Sequence, residues 1–257
     1  MKTNYKTEEE RHYDKKANHD PIQKISYSDY VLRKSIEFYF EQIADRISGN
    51  TGLKILDFGC GSGSKHYKFA YKPIHVTGID ISSQSVKIAN QQVTEQNLNA
   101  EYLVMDCEKM NFPDNSFDLV FDFGTFSSLN VDVAISELCR VIKKDGTLIC
   151  IETYGHNPFM NIKRRLNVLM GKRTKWASQH IMIRKNWTDI SNKFQKSNIH
   201  YFHFLVLFLP VFLKILPERS GRRLLSFFEK IDSSLLRIRF LRFLAFKTVV
   251  VLENPIK

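Results

Sequence analysis

The feature that most constrains this chain is an apolar strand that leads directly into three closely spaced glycines. The strand ends at Phe58, and Gly59, Gly61 and Gly63 follow in alternation before a segment with helical character. Glycine permits positive φ and has no Cβ, so a ligand can lie against bare backbone at the carboxyl end of a strand. The pattern therefore predicts an open α/β sheet with a cofactor site of the nucleotide type at this edge.

Acidic residues stand at the ends of the apolar segments that follow. The second segment ends at Asp80, the third at Asp106 and the fourth at Asp122, while the fifth carries Glu152 near its end. The carboxyl ends of parallel strands share one edge, and open α/β sheets bind their ligands there. We therefore expect these carboxylates to meet at one site, with Asp80 in the position where a doubly wound fold binds ribose hydroxyls.

Four motifs, taken together, resemble those of class I S-adenosylmethionine-dependent methyltransferases of the type 11 kind. In chain order they are Asp57-Phe58-Gly59-Cys60-Gly61-Ser62-Gly63, Gly78-Ile79-Asp80, Met105-Asp106-Cys107, and the segment Asn111-Phe112-Pro113-Asp114-Asn115-Ser116-Phe117-Asp118-Leu119-Val120. The resemblance extends from the start of the chain to about residue 155. It implies methyl transfer as the activity and S-adenosyl-L-methionine as the cofactor.

The resemblance also implies roles for individual residues. The glycine loop would back the methionine part of the cofactor, Asp80 would bind both ribose hydroxyls, and Phe123 would line the methionine end. The full predicted cofactor-binding set is Asp57, Gly59, Cys60, Gly61, Gly63, Asp80, Ile81, Asp106, Cys107 and Phe123. Simple chemistry agrees with this assignment, because the cofactor has no phosphate and the loop has no basic residue before Lys65.

Alternating helical and strand patterns predict the rest of the architecture. Helical spacing covers residues 28–47, 82–96 and 132–142, between apolar strand segments. Such alternation implies right-handed crossovers and a parallel sheet. We predict an α/β fold with a doubly wound, Rossmann-like sheet of seven strands, mostly parallel. The sixth strand would cover 201–208 and the seventh, antiparallel, would cover 246–252, with helical insertions after strands 5 and 6.

The 257 residues, 43% of them hydrophobic, suit a single domain. Within it, residues 1–50 would form an N-terminal lid and first helix, residues 51–155 the cofactor-binding core, and residues 156–257 the part that faces the acceptor and the membrane. His12 and Tyr13 would lie over the cofactor, as that region does in the resembled family. Disorder of this segment is the alternative.

Basic residues are concentrated in two segments near the end of the chain. Residues 153–188 contain eight basic and no acidic side chains, and residues 209–247 contain nine basic and three acidic ones, in a chain of net charge +11. Both segments are also rich in large apolar residues, of mixed type in the first and mainly leucine and phenylalanine in the second. This combination suits anionic lipid headgroups, where each basic residue adds about 1 kcal/mol. We predict peripheral binding to an anionic membrane surface; the alternative is a helical cap that packs on the sheet with solvated charges.

The expected location is the cytoplasm, at the inner membrane face. Residues 1–20 lack the apolar core of a signal peptide, and the apolar run 199–216 is too short and too polar to span a bilayer. The four cysteines are dispersed through the chain, which favours buried thiols in a reducing compartment.

Methylation of an alcohol or phenol requires a base that removes a proton. His156 is the first candidate, because it follows strand five at the sheet edge and its pKa suits proton abstraction near neutrality. His180, in the first basic segment, is the second. A surface or hydrogen-bonding role is the alternative for a lone loop histidine. No metal is expected, since residues 153–188 supply no carboxylate for one.

The sequence leaves several functions open. The favoured one is O-methylation of a lipid, an isoprenoid or a lipid-linked glycan at the cytoplasmic membrane surface. A methyltransferase of a soluble small metabolite and an RNA methyltransferase are the alternatives, and a silent scaffold is disfavoured by the intact glycine loop and Asp80. RNA binding is disfavoured because it calls for stacking aromatics among polar residues rather than long Leu/Phe segments.

Overall fold

The computed structural model describes residues 4–19, 30–50, 52–71 and 73–257. Within them, the strands are β1 (Lys54–Phe58), β2 (His75–Asp80), β3 (Ala100–Val104), β4 (Phe117–Asp122), β5 (Ile142–Thr153), β6 (Phe194–Phe202) and β7 (Lys247–Pro255). They form one sheet in the order β3-β2-β1-β4-β5-β7-β6. Strands β1 to β5 are parallel, and β7 is antiparallel to both β5 and β6. The predicted doubly wound α/β sheet is confirmed.

Helices cover both faces and one edge of the sheet. They are α1 (Asn4–His19), α2 (Arg33–Ile47), α3 (Ser83–Gln96), α4 (Val131–Val141), α5 (Pro158–Leu169), α6 (Lys175–Gln179), α7 (Arg184–Ser191), α8 (Pro210–Ile215) and α9 (Glu218–Leu235). Helices α5 to α7 follow β5, and α8 and α9 follow β6, so the two predicted insertions are confirmed. Of the helix predicted over 28–47, residues 28 and 29 lie outside the described residues.

Polar side chains cap the first turns of two helices. Ser82 precedes α3 and accepts a hydrogen bond from the Ser85 N–H at 3.1 Å. Asn157 precedes α5 and accepts one from the Met160 N–H at 3.1 Å, with Pro158 in the first turn. Such caps satisfy backbone donors that the helix itself leaves unpaired. Both helices therefore begin where a strand ends, which places their first turns at the carboxyl edge of the sheet.

Strands β1 and β4, at the centre of the parallel part of the sheet, are buried on both faces, and this fixes their loops in space. Successive residues of β4 alternate between two apolar clusters, with Val120 in one and Leu119 and Phe121 in the other. Ile55 and Leu56 of β1 alternate in the same way. Because a shift of one residue would reverse every side chain, the register is strongly specified.

The predicted position of the sixth strand is wrong. Strand β6 covers Phe194–Phe202, not 201–208, and residues Leu205–Phe208 form a 3-10 turn. As an edge strand, β6 has solvent along one side and carries a polar, largely exposed sequence that lacks an apolar run. The apolar residues beyond it leave the sheet because Asp232 of α9 accepts backbone N–H bonds from residues 204, 205 and 206 at 2.8 to 3.3 Å.

Candidate cofactor and acceptor site

A cavity of about 330 Å³ lies at the carboxyl edge of β1, β2 and β4, beneath α1. Small-molecule sites typically measure about 300 to 1,000 Å³. Nine of the ten predicted cofactor-binding residues line it: Asp57, Gly59, Cys60, Gly61, Asp80, Ile81, Asp106, Cys107 and Phe123. Gly63 does not line the cavity; the rings of Tyr67 and Tyr102 pack where a Cβ at that position would lie. The parallel topology thus gathers residues from four separate loops.

The carboxylate of Asp80 is held in place by the backbone. Its Oδ2 accepts a hydrogen bond from the Gly61 N–H at 2.9 Å, and its Oδ1 accepts one from the Ser82 N–H at 2.8 Å. Burial raises the pKa of Asp80, and these two backbone bonds oppose that shift. Each oxygen keeps further acceptor capacity, so the carboxylate can accept two hydroxyl groups of one ligand. A vicinal diol such as that of ribose fits this arrangement.

The glycine loop is packed tightly against the loop that follows β4. Gly59 has φ +69°, and a Cβ built there would lie 2.3 Å from the Thr125 side chain. The Thr125 hydroxyl donates to the carbonyl of Phe58 at 3.2 Å. A Cβ built at Gly61, which has φ +52°, would meet no atom within 4 Å. Only glycine therefore fits at position 59, and position 61 leaves open space in the cavity.

Helix α1 covers the cavity and is attached to its rim. The cavity residues from α1 are Lys6, Glu9, Tyr13, Lys16 and Ala17. Lys6 Nζ lies 2.6 Å from Asp106 Oδ2 and 2.9 Å from Glu108 Oε2, and Asp14 accepts a hydrogen bond from the Ser82 hydroxyl at 2.6 Å. Tyr13 therefore lines the cavity and His12 does not, and a role of this segment as a lid over the cofactor stays a prediction.

A small polar group lies where α1 meets the loop after β4. The Tyr13 and Ser128 hydroxyl oxygens are 3.2 Å apart, and Glu9 accepts a hydrogen bond from the Thr174 hydroxyl. Glu9 is buried, and burial raises its pKa and that of Tyr13. No local pattern singles out Glu9, because it is one of several acids in a polar helix and only the fold brings it to Thr174.

Two buried carboxylates fix the loop that carries Phe123. Asp122 accepts a hydrogen bond from the Thr125 N–H at 3.0 Å, and Glu152 accepts one from the Phe126 N–H at 2.7 Å. Burial raises the pKa of both carboxyl groups. Lys247, at the start of β7, lines the cavity, and burial lowers its pKa. No local pattern identifies Lys247 as a site residue, because it is a single lysine at the start of an apolar strand.

His66 also lines the cavity, although no pattern in the sequence singles it out. Its Nδ1 lies 2.9 Å from Asp57 Oδ2, and its Nε2 lies 2.8 Å from the Tyr39 hydroxyl. All three side chains are buried. They connect β1, the glycine loop and α2, so their role on this geometry is to hold the loop against the sheet.

The structure does not bring the two predicted catalytic histidines to this cavity. His156 Nε2 accepts a hydrogen bond from the Arg184 N–H at 3.1 Å, and its ring packs edge-on against Tyr154. Burial, with the nearby charge of Arg184, lowers the pKa of His156. The His180 ring stacks on Trp176, with ring centroids 3.7 Å apart. A catalytic role for either histidine stays a prediction.

Comparison with known proteins finds a family model that matches the part of the chain that contains the cavity. Residues 56–150 match the model of a family described as a methyltransferase domain. A demethylmenaquinone methyltransferase of Listeria monocytogenes is 36% identical over 107 residues, which are 40% of this chain and 45% of that protein. Phosphoethanolamine N-methyltransferase 1 of Arabidopsis thaliana is 29% identical over 119 residues, 46% of this chain and 24% of that protein. The chain thus spans less than half the length of these relatives.

A solved structure shows the same fold. The phosphoethanolamine N-methyltransferase 2 of Haemonchus contortus, in complex with phosphomonomethylethanolamine and S-adenosylhomocysteine, aligns with a TM-score of 0.60 and 17% identity. The alignment covers 85% of this chain and 52% of that one. The family match falls on β1 to β5, the strands whose carboxyl ends form the cavity.

Proposed function

We propose that this chain, whose residues 56–150 form a class I S-adenosylmethionine-dependent methyltransferase domain, methylates an oxygen atom of a lipid, an isoprenoid or a lipid-linked glycan at a membrane surface. The methyltransferase assignment confirms the resemblance found in the sequence motifs. The choice of acceptor rests on one observation: adjoining segments expose large apolar side chains, with exposed basic side chains among them on α5.

The cavity residues fit the cofactor that the family uses. Asp80 offers two acceptors to a ribose diol, and the open space at Gly61 lets a ligand lie against backbone. Residues 59–64 contain no lysine or arginine, as expected for a ligand without phosphate. When bound, S-adenosyl-L-methionine supplies a sulfonium methyl group for in-line transfer.

Helix α5 presents large apolar side chains to solvent. The exposed ones are Phe159, Ile162, Leu166, Leu169 and Met170, and Leu169 is 83% exposed. Their spacing places most of them along one side of the helix. Lys163 and Arg165 stand among them and are also exposed. Exposed apolar patches of this kind mark interaction surfaces, and the interleaved basic residues favour an anionic one.

The same side of the molecule continues onto two other segments. The Phe159 ring packs edge-on against Phe208, with centroids 5.2 Å apart, and Asn157 donates a hydrogen bond to the Leu244 carbonyl. The adjoining segments expose Phe212, Ile215, Phe240 and Phe243. We call the exposed apolar residues of α5, 208–216 and 238–243 the apolar face. It supports the proposal of peripheral binding to a membrane surface.

Within the described residues, no helix is long and apolar enough to cross a membrane. The names of the relatives also support a small acceptor, since one relative is named for demethylmenaquinone and another for phosphoethanolamine. A small amphiphilic acceptor held at a lipid surface is consistent with both the cavity and the apolar face.

The first prediction concerns the acceptor. Incubation with methyl-labelled S-adenosylmethionine and a lipid extract of the host should place label in the lipid fraction, and vesicles that contain anionic lipid should increase the rate. The soluble metabolite pool and the RNA of the same host serve as parallel acceptors. Label in either of these, with none in lipid, would refute the lipid acceptor and support the corresponding alternative.

The residue in the cavity best suited to remove the acceptor proton is Glu9. It is buried beside Tyr13 and Ser128, and its raised pKa makes its carboxylate a stronger base than an exposed glutamate. A carboxyl group with a raised pKa is ionised only above that pKa. The rate should therefore rise with pH through the pKa of Glu9 and then level off.

The second prediction follows from this position of Glu9. Glu9→Gln should lower kcat on the labelled acceptor about 100-fold and remove the rising limb of the pH profile, with cofactor affinity close to that of the unchanged protein. Glu8 is an exposed neighbour on the same helix, so Glu8→Gln is the matched control. This control should keep both the kcat and the rising limb of the pH profile. An unchanged pH profile in Glu9→Gln would exclude Glu9 as the base.

A further inference from the structure

A second cavity, of about 420 Å³, lies where α7 and the 3-10 turn Arg239–Leu244 meet strand β6. It shares no lining residue with the first cavity. Adjacent residues of the chain separate the two, since Thr153 lines the first and Tyr154 lines the second. The second cavity is therefore distinct from the first.

The lining of this cavity is basic. Three arginines, Arg184, Arg239 and Arg242, come together there with His156, and no acidic residue lines it. Among the described residues, none of the three guanidinium groups forms an ion pair with a carboxylate. Three clustered like charges repel one another unless an anion lies between them, so the lining fits an anionic group.

The guanidinium of Arg242 is oriented before any ligand binds. Its Nε lies 3.3 Å from the Leu236 carbonyl oxygen, and its carbon lies 5.2 Å from the centroid of the Tyr201 ring. Arginine has five N–H donors, so these contacts leave donors for a ligand. A planar guanidinium fixed in this way suits the oxygens of a phosphate better than a mobile lysine would.

A buried donor in the lining also lacks a partner. Trp187 is 1% exposed, and its indole Nε1 has no hydrogen-bond acceptor among the described residues. Buried polar groups are nearly always hydrogen-bonded, and an exception calls for a missing acceptor. Trp187 lines the second cavity, and an oxygen atom bound there within hydrogen-bond distance of Nε1 would supply that acceptor.

The opening of the cavity is apolar. Phe240 and Phe243 belong to both the lining and the apolar face, and they are 73% and 46% exposed. A ligand with its anionic group among the arginines would therefore place an attached hydrocarbon body against these rings. Inorganic phosphate would leave the rings without a contact.

We propose that the second cavity binds the phosphate group of a phosphate ester that carries an apolar chain, held by Arg184, Arg239, Arg242 and the indole of Trp187. Two sources share this chemistry, namely a phospholipid headgroup in the bilayer and a soluble phosphorylated amphiphile. Binding there does not require methyl transfer, so it can be measured whatever the acceptor is.

Fluorescence of Trp187 provides the readout. The chain has two tryptophans, so Trp176→Phe leaves Trp187 as the sole indole. Octyl phosphate should change its emission in a saturable way, at concentrations at least tenfold below those needed with inorganic phosphate or octanol. Arg239→Ala/Arg242→Ala should raise the apparent Kd at least tenfold, and Arg184→Ala, an exposed side chain, provides a second test if the double variant does not fold.

The matched control is Arg219→Ala/Arg223→Ala, which removes the same charge from α9 at positions that do not line the cavity. It should leave the octyl phosphate titration unchanged. The proposal is overturned if octanol matches octyl phosphate, if no saturation occurs, or if the control weakens binding as much as the cavity variants do.

Vesicles then distinguish the two sources. If Arg239→Ala/Arg242→Ala also abolishes flotation with phosphatidic acid vesicles relative to phosphatidylcholine vesicles, the site takes a lipid headgroup. If flotation persists while octyl phosphate binding is lost, the site takes a soluble phosphate ester. Both results support a phosphate site in the second cavity.

Discussion

Asp80→Asn should raise the Kd for S-adenosylmethionine about 100-fold or more. The carboxylate of Asp80 can accept hydrogen bonds from two ribose hydroxyls. The amide of asparagine has only one acceptor oxygen, and its NH2 group would face a hydroxyl or N–H group that also donates. Hydrogen bonds to a charged group contribute about 1.5 to 3 kcal/mol each, so a loss of about 3 kcal/mol corresponds to this change in affinity. Titration calorimetry with S-adenosylmethionine, in the absence of any acceptor, measures this Kd.

The control for Asp80→Asn is Asp132→Asn. Asp132 is an exposed acid in the first turn of α4 that does not line the cavity. Its replacement should leave the Kd unchanged and cost less than about 1 kcal/mol of folding stability through the helix dipole. Equal affinity in Asp80→Asn and the unchanged protein would show that this carboxylate does not bind the ribose.

Gly59→Ala should destabilise the fold and abolish cofactor binding. At φ +69° an L-residue costs about 1 to 2 kcal/mol, and the new Cβ would lie 2.3 Å from the Thr125 side chain. Overpacking of this kind adds about 1 to 3 kcal/mol. The free energy of unfolding should fall by about 3 kcal/mol, which corresponds to a Tm lower by roughly 6 to 12 °C for a chain of this size.

Gly171→Ala separates backbone strain from steric overlap. Gly171 has φ +67°, nearly the same as Gly59, but a Cβ there meets no atom within 4 Å. Thermal unfolding of this control should show a loss of only about 1 kcal/mol in the free energy of unfolding, which is the cost of the backbone strain. Its Kd for the cofactor should equal that of the unchanged protein. If both variants lost the same stability and both bound the cofactor, close packing at Gly59 would have no part in the site.

The cofactor side of the site was predictable from local patterns. Gly59, Gly61 and Asp80 lie within one strand-loop-strand unit, and each is required by backbone geometry or by its place at a strand end. The parallel topology then follows from the alternation of helices and strands, and it brings Asp106 and Phe123 to the same edge. Nine of the ten predicted residues line one cavity for this reason.

The edge of the sheet was harder to predict. Strand β6 has a neighbour on one side only, so its sequence is polar and resembles a loop, whereas the apolar residues after it pack on α9. Periodicity records how many faces of a segment are buried, and it does not record which element buries them. The apolar pattern therefore predicts this strand about seven residues too late along the chain.

The sequence by itself determined the fold, the cofactor edge and the presence of basic, apolar segments, because each of these depends on spacings within a few tens of residues. Only the tertiary structure decided that Glu9 and Lys247 share a cavity with Asp80, that His156 lies beside Arg184 instead, and that three arginines surround a second cavity. These groups come from distant parts of the chain, and their meeting depends on packing between elements, which no local pattern encodes.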